Sequence, residues 1–210
     1  KWSESGTTAF PDLFGSDRFL ELQGGYAFLG FHQGPLMRMA DGHCSPQDLR
    51  WVDSVLAVLR RSNTPVIIVA HYPMDSSVVN WFALLDRLDG NDVRLFLVGH
   101  GHQNEVLSFE GYPGVMSRAL LDGRGQSPGY NIVTITGDSL EIQSTEDIVT
   151  ASVPWYATRL KPVQHNARGF ARPDFSINAL HPEVRLLWKW NSGFTITSAP
   201  ASGDGVVVVG

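Results

Sequence analysis

The sequence of 210 residues lacks the features that mark several common classes of protein. It contains a single cysteine, Cys44, which excludes a disulfide framework and a zinc site built from cysteines within the chain. Its formal net charge of −5 provides no basic footprint for nucleic acid. Its apolar runs are no longer than strands, so no membrane span is expected. With 43% hydrophobic residues, the sequence is that of a globular protein.

The middle of the sequence predicts an α/β layered sheet. Ser45 followed by Pro46 is a typical helix start, and apolar residues at helical spacing extend this helix over residues 46–61. A second helix is predicted over residues 79–88. The run 66–70 is continuously apolar, and the run 94–98 is apolar after Arg94, which is typical of strands buried on both faces. Because helices and strands alternate here, an α/β sheet is the expected architecture.

Antiparallel strands are expected on both sides of this unit. Gly24-Gly25 predicts a hairpin between two apolar runs. Later runs separated by turn residues predict four short strands, at residues 105–109, 114–117, 130–136 and 140–144. We therefore expect one domain over residues 1–146, a linker or irregular segment over 147–183, and the beginning of an all-β unit over 184–210. Because both ends look cut, the chain is expected to be an internal piece of a longer protein.

Three histidines follow the two buried runs. His71 ends VIIVAHYPM, and His100 and His102 lie in LFLVGHGHQN. Side chains at the carboxyl ends of adjacent strands in an α/β sheet point into a common crevice, and neutral imidazole suits Zn, Fe and Mn. Gly99 and Gly101 are expected to supply close approach and unusual backbone angles. The pattern predicts a shared metal site; taken singly, each histidine could instead be a structural, hydrogen-bonded residue.

These motifs resemble the C-terminal half of the calcineurin-like metallophosphoesterases, with Ala70-His71-Tyr72-Pro73 and Gly99-His100-Gly101-His102 as the matching segments. The resemblance implies the layered sheet of that family and a centre of two divalent ions, Mn, Fe or Zn. It implies that His71 and His100 bind one ion and His102 the other. The implied reaction is hydrolysis of a phosphate ester by metal-activated water.

The earlier motifs of that family, Asp-x-His, Gly-Asp-x-x-Asp and Gly-Asn-His-Asp/Glu, are not found. The catalytic groups and remaining ligands are therefore expected upstream of Lys1, and this chain alone is expected to be inactive. Asp41-Gly42-His43 fits Asp-x-His, but it precedes a helix cap instead of ending a strand. We expect Asp41 and His43 to lie outside the histidine cluster.

Three further residues are candidates for substrate binding: Arg118, Tyr72 and Asn80. A guanidinium can bind a phosphate oxygen, although a surface ion pair is the alternative for Arg118. Cys44 lies beside a helix start, where a thiol pKa can be depressed, but no base accompanies it. His165 and His181, in the irregular segment, are expected to be solvated.

The tail over residues 184–210 resembles one incomplete blade of a pyrroloquinoline-quinone-type β-propeller repeat. The resemblance rests on Leu187-Trp188, Ser198-Ala199-Pro200 and Gly203-Asp204-Gly205. It implies a protein partner, and whether the tail binds a quinone stays open; a generic hairpin is the alternative. A second hypothesis for the whole chain is thus a non-catalytic binding or scaffold module. Localisation stays open, although the single cysteine and the tail fit an exported bacterial protein.

Overall fold

The computed structural model describes residues 9–34, 41–120, 128–145, 153–185, 187–188 and 200–209. Three α-helices lie within these ranges: α1 (Ala9–Phe14), α2 (Pro46–Arg61) and α3 (Trp81–Leu85). The strands are β1 (Phe19–Gln23), β2 (Tyr26–Gly30), β3 (Val66–Val69), β4 (Val93–Val98), β5 (Glu105–Phe109), β6 (Tyr112–Met116), β7 (Tyr130–Thr136), β8 (Ser139–Thr145), β9 (Val153–Arg159), β10 (Ala201–Gly203) and β11 (Val206–Val208). Short 3-10 helices occur at Asp86–Leu88, Ala167–Gly169 and Ser176–Leu180.

The main sheet has six strands in the order β1-β2-β3-β4-β6-β5. Strands β2, β3, β4 and β6 are parallel, and the edge strands β1 and β5 pair antiparallel with their neighbours. This mixed sheet with its helices confirms the predicted α/β architecture. The predicted hairpin across Gly24-Gly25 is also present, as β1 and β2.

Helix α2 has the predicted bounds because its local signals are strong. The Ser45 hydroxyl accepts a hydrogen bond from the Asp48 N–H at 3.1 Å, which satisfies one free donor of the first turn. Helix α3 is shorter than predicted, because the backbones of Val78 and Val79 pair with Gly42 instead of continuing a helix. Among the described helices, none has the length and apolar character that crossing a membrane requires.

The sheet is covered on both faces, which explains its continuously apolar central strands. One face packs against α2 and α3 in a core that includes Leu56, Ile68 and Phe96. The other face packs against a three-stranded antiparallel sheet, β7-β8-β9, through residues such as Ile67 and Ile142. The domain is therefore a stack of helices, mixed sheet and antiparallel sheet.

The segment after residue 152 differs from the irregular linker that the sequence predicts. Strand β9 pairs antiparallel with β8 and completes the second sheet. The pattern is hidden by Pro154, which cannot donate a hydrogen bond to a neighbouring strand. Pro154 lies opposite Gln143 at a bulge of β9, in which Trp155 is the extra residue, and β9 is an edge strand of the described sheet, so a missing donor is tolerated. Residues 160–172, which we call the strap, then return across the domain. Leu160 is buried, and its carbonyl accepts from Arg94 at 2.7 Å.

The end of the chain forms a two-stranded antiparallel hairpin, β10 and β11, whose residues are all exposed. Asp204 and Gly205 make the turn, with positive φ values of 50° and 77°. Residues 189–199, which include Ser198 and Ala199 of the propeller-like pattern, lie outside the described residues. A hairpin of this size occurs in many folds, so the propeller-like blade stays a prediction.

Candidate functional site

His71 and His100 meet at the carboxyl edge of the main sheet. Strands β3 and β4 are parallel neighbours with Val69 opposite Leu97, so they end at the same level. The ladder continues past both strands, because the Gly99 N–H donates to the His71 carbonyl at 3.0 Å. The two imidazole rings are 5.4 Å apart between centroids, and their planes are 80° apart. Parallel topology thus brings together two histidines that are 29 positions apart in the sequence.

The loop that carries His100 and His102 differs from the expectation that its glycines take the unusual backbone angles. Its left-handed conformations fall on the histidines, with φ values of 73° and 62°, and not on the glycines. A left-handed residue other than glycine costs about 1 kcal/mol or more, and such strain tends to cluster at functional sites. Gly101 has a different role, because a Cβ there would come within 2.3 Å of the Met116 sulfur. Met116 therefore packs directly against the loop.

The curled loop brings His100 beside His71 and leaves the His102 side chain exposed. The Gly101 N–H donates to the Gly99 carbonyl at 3.0 Å, so the chain turns at His100 and loses the strand geometry that would put His100 and His102 on the same side. The His102 side chain is exposed. Within the described ranges, no group of three His, Cys, Asp or Glu residues could hold a metal ion. The expected convergence of all three rings is thus not seen in this part of the chain; the structure pairs His71 with His100.

Gln33 is a supporting residue that the sequence analysis missed. Its side chain is buried, and its carbonyl accepts from the Tyr72 N–H at 2.9 Å while its amide lies 3.7 Å from the Met74 sulfur. It thereby fixes the loop that follows His71. Its position three residues after β2, a parallel neighbour of β3, is a signal that could have identified it.

Tyr72 packs behind the histidines. Its ring centroid is 4.5 Å from that of His100 and 4.8 Å from that of His71. The residue is only 1% exposed, so it does not line an open pocket as the substrate-binding prediction requires. The prediction is corrected because Tyr72 belongs to the core cluster. Its structural effect is to hold the two imidazoles against a rigid aromatic surface.

Asn80 is engaged with backbone rather than exposed to a pocket. Its side-chain oxygen accepts from the Cys44 N–H at 2.9 Å, and its side-chain nitrogen donates to the Cys44 carbonyl at 2.8 Å. Asn80 therefore joins the start of α2 to the start of α3, and its role in substrate binding stays a prediction. Burial, together with the charge of Asp48, raises the pKa of the Cys44 thiol to about 12. The depressed pKa expected near a helix start is wrong, because burial outweighs the helix dipole.

Arg118 takes part in a polar network with side chains of the antiparallel sheet. Its N–H donates to the Asn104 side chain at 3.1 Å, and its guanidinium donates to the Ser144 hydroxyl at 3.2 Å. Asn104, a second residue missed in the sequence, also donates to Ser144 at 3.0 Å and accepts from Asn131 at 2.8 Å. This network anchors the exit of the histidine loop to the antiparallel sheet. A role of Arg118 in phosphate binding stays a prediction.

Asp41 and His43 lie in a loop that is held by its backbone. The Gly42 N–H donates to the Ser77 carbonyl at 2.6 Å, and the His43 N–H donates to the Gln33 carbonyl at 2.8 Å. Both side chains are exposed. Neither belongs to a group that could hold a metal ion in the described part of the chain.

No protein-family model matches this chain, and no curated protein matches it. Solved structures that resemble it include a dimetal phosphatase from Danio rerio, with 17% identity and a TM-score of 0.45 over 56% of this chain and 38% of that chain. GAP50, described as the anchor in the inner membrane complex of Plasmodium, has 12% identity and a TM-score of 0.45 over 86% and 64%. Vps29 from Chaetomium thermophilum has 12% identity and a TM-score of 0.33 over 75% and 66%.

The chain therefore spans 38% of the length of the dimetal phosphatase and 64% of that of GAP50. TM-scores below 0.5 describe a distant likeness. The function of this chain has to be argued from its own residues.

Proposed function

We propose that this chain carries the histidine part of a metal-dependent phosphoesterase site, with His71 and His100 as ligands of one divalent ion. The observation that carries the proposal is the pairing of two imidazoles, 5.4 Å apart, at the ends of adjacent parallel strands. The left-handed backbone of His100 supports the proposal, because strained backbone conformations cluster at active sites and ligand-binding sites.

The donors present fit part of such a centre. Imidazole nitrogen is a suitable ligand for Zn, Mn and Fe. A two-metal centre needs more ligands than two imidazoles, and bridging groups are usually carboxylates. We infer that the remaining ligands, including those of a second ion beside His102, lie outside the described residues. Two bound ions would supply Lewis-acid polarisation of a phosphoryl oxygen and an acidified water.

The residues around the pair have positioning roles in this proposal. Tyr72 and Gln33 fix the ring and the loop of His71, and Asn104 fixes the loop of His100. Such supporting contacts set the orientation of imidazole ligands and affect metal affinity strongly. Arg118, near the exit of the histidine loop, is the candidate cation for a phosphate oxygen.

The metal part of the proposal is tested by titrating this chain with Zn²⁺ and Mn²⁺ in a calorimeter. We expect weak binding of one ion, and a loss of affinity of at least about tenfold in His71→Ala and in His100→Ala. His181→Ala is the matched control, because His181 is exposed and lies far from the sheet edge in the sequence. If both ligand variants bind the ions as His181→Ala does, the metal site is excluded.

The catalytic part is tested with a phosphodiester, bis(p-nitrophenyl) phosphate. We expect no turnover by this chain alone, and metal-dependent turnover by a longer protein that includes it, abolished by His100→Ala. The competing candidate is a non-catalytic binding module. It is favoured by the exposed apolar surface of the tail, where Trp188 is 69% exposed. If the longer protein shows no turnover with metals present, the result supports the binding module instead.

A further inference from the structure

His32 lies at the same edge of the main sheet as the candidate metal ligands. It follows β2 by two residues, and β2 is the parallel neighbour of β3, with Gly30 opposite Val69. Parallel strands present their carboxyl ends at one edge of a sheet, which is where open α/β sheets bind ligands. Three neighbouring strands, β2, β3 and β4, are therefore each followed by a histidine at this edge, namely His32, His71 and His100.

The side of the sheet that His32 faces follows from the burial of its neighbours. Phe31 packs in the core on the helix side, and the Gln33 amide lies 3.7 Å from the sulfur of Met74 in the same core. Residues 31–33 continue β2 without a turn or a bend. Successive side chains of such a chain point to opposite sides, so His32 points away from the helices, toward the side of the antiparallel sheet.

The same side of the edge carries His71 and Arg118. Ala70 and Tyr72 both pack in the helix-side core, so His71 between them is directed away from the helices. The Arg118 guanidinium donates to the hydroxyl of Ser144 on β8, a strand of the antiparallel sheet. Nitrogen-bearing side chains that follow β2, β3 and β6 thus lie on one side of the carboxyl edge. Imidazole and guanidinium groups both donate hydrogen bonds, which suits the oxygens of an anion.

The His32 ring is held in place, and its nitrogens are available to a ligand. The residue is half-buried, and a Cβ at Gly34 would come within 3.0 Å of its Nε2, so the ring lies over this glycine. The ring forms no hydrogen bond or ion pair with the residues that the structure describes. His165 is the opposite case: the sequence predicts a solvated residue, whereas its side chain is 1% exposed and contacts Asp89 and Glu110.

We propose that His32 binds the substrate, donating a hydrogen bond from its imidazole to a phosphoryl oxygen of the phosphate ester. The described part of the structure contains no group of three His, Cys, Asp or Glu residues that could hold an ion, so His32 does not complete a ligand set with His71 and His100. Neighbouring strands are about 4.8 Å apart, so a phosphate bound to an ion at the ends of β3 and β4 reaches the end of β2. This role rests on the proposed function, because the ion fixes the phosphate beside His32.

Calorimetry with phenyl phosphate and the zinc-loaded chain tests this role. We expect His32→Ala to weaken the binding of phenyl phosphate about tenfold, as the loss of one hydrogen bond to a charged group does, and to leave zinc affinity unchanged. His32→Gln keeps an N–H donor and should recover most of the affinity. His181→Ala, at an exposed site, is the matched control and should bind phenyl phosphate as the wild-type chain does.

NMR of the wild-type chain tests the contact without relying on the fold of a variant. Adding phenyl phosphate to the zinc-loaded chain should shift the ring signals of His32 and leave those of His181 in place. Unshifted His32 signals, or equal affinity of His32→Ala and the wild-type chain for phenyl phosphate, would overturn the substrate role.

Zinc affinity distinguishes failure of this role from failure of the proposed function. If zinc binds with the expected dependence on His71 and His100 but His32→Ala has no effect on phenyl phosphate, only the role of His32 is wrong. If His32→Ala loses zinc and phenyl phosphate together, His32 acts on the metal site, and its substrate role is again wrong. If the wild-type chain binds no zinc, both the metal site and the role that depends on it are excluded.

Discussion

The two histidine sites of this domain differ in what surrounds the imidazoles. His71 and His100 have aromatic neighbours and lie at a sheet edge, with His71 exposed. His165 is buried, and both of its nitrogens face carboxylates of the same chain. The first site is therefore open to solvent at His71, whereas the imidazole of the second lies between carboxylates of the same chain. The comparison shows that a histidine's environment, and not its burial alone, separates a candidate ligand from a structural clamp.

The two sites also differ in how the chain assembles them. The first is formed by two adjacent parallel strands and their immediate continuations. The second joins His165 to Asp89 and Glu110, which are 76 and 55 positions away in the sequence. Long-range contacts of this kind contribute only when the whole domain is folded. We expect variants in the second site to affect stability most and variants in the first to affect metal binding most.

The largest effect on stability is expected for Glu110→Ala. Glu110 is the shared partner of His165 and Arg172, and its side chain is only 8% exposed. Removing one partner of a buried charged cluster leaves the others uncompensated, which costs about 3 kcal/mol. Urea unfolding at pH 7 should show this loss.

Glu183→Ala is the control for that experiment, because Glu183 also contacts a histidine but its side chain is 70% exposed. Its effect should stay within about 0.5 kcal/mol. Equal effects of the two variants would remove the distinction between the buried cluster and an ordinary surface pair.

A smaller loss is expected for Asn104→Ala, at the exit of the histidine loop. The change removes three neutral hydrogen bonds, to the backbone of Arg118 and to the side chains of Asn131 and Ser144. Leaving such half-buried groups unpaired costs about 2 kcal/mol. Because the loop loses its anchor, zinc affinity should fall as well.

The neighbouring Gln103 is the matched control, since it is exposed and bonds only to the side chain of Glu105 in the described structure. Gln103→Ala should change the free energy of unfolding by less than about 0.5 kcal/mol and leave zinc affinity unchanged. If Asn104→Ala destabilises the domain while zinc affinity stays the same, the network does not position the metal site.

The sequence predicts the first region well because its signals are local. The capped start of α2 and the apolar runs of β3 and β4 need no distant partner to be recognised, and parallel topology then places His71 beside His100. The curl of the loop could not be predicted. Glycine is the residue that most readily takes positive φ, so the sequence favours Gly99 and Gly101, whereas the structure places that conformation on His100 and His102.

The conformation of the strap could not be predicted, because it depends on contacts with residues outside the strap. Residues 160–172 have no helical or strand periodicity, and their order comes from contacts with Arg94, Asp89 and Glu110 in other elements. Strand β9 was missed for a related reason. Pro154 argues against a strand in the sequence, and it is tolerated because β9 is an edge strand of the described sheet with a bulge at this position. A polar segment rich in turn residues can therefore be ordered by charges that lie far away in the sequence.

The smallest effect, and one of opposite sign, is expected for Tyr112→Phe. The Tyr112 ring packs against His165, but its buried hydroxyl has no hydrogen-bond partner among the residues that the structure describes. Removing an unsatisfied buried hydroxyl while keeping the ring should raise the free energy of unfolding by about 0.5 kcal/mol. Tyr26→Phe is the matched control, because the buried Tyr26 hydroxyl donates to the Gly137 carbonyl at 3.1 Å. This control should lose about 1 kcal/mol. If Tyr112→Phe instead destabilises the domain as much as Tyr26→Phe, then the Tyr112 hydroxyl takes part in the cluster, and the strap is held by more than His165, Arg172 and their carboxylates.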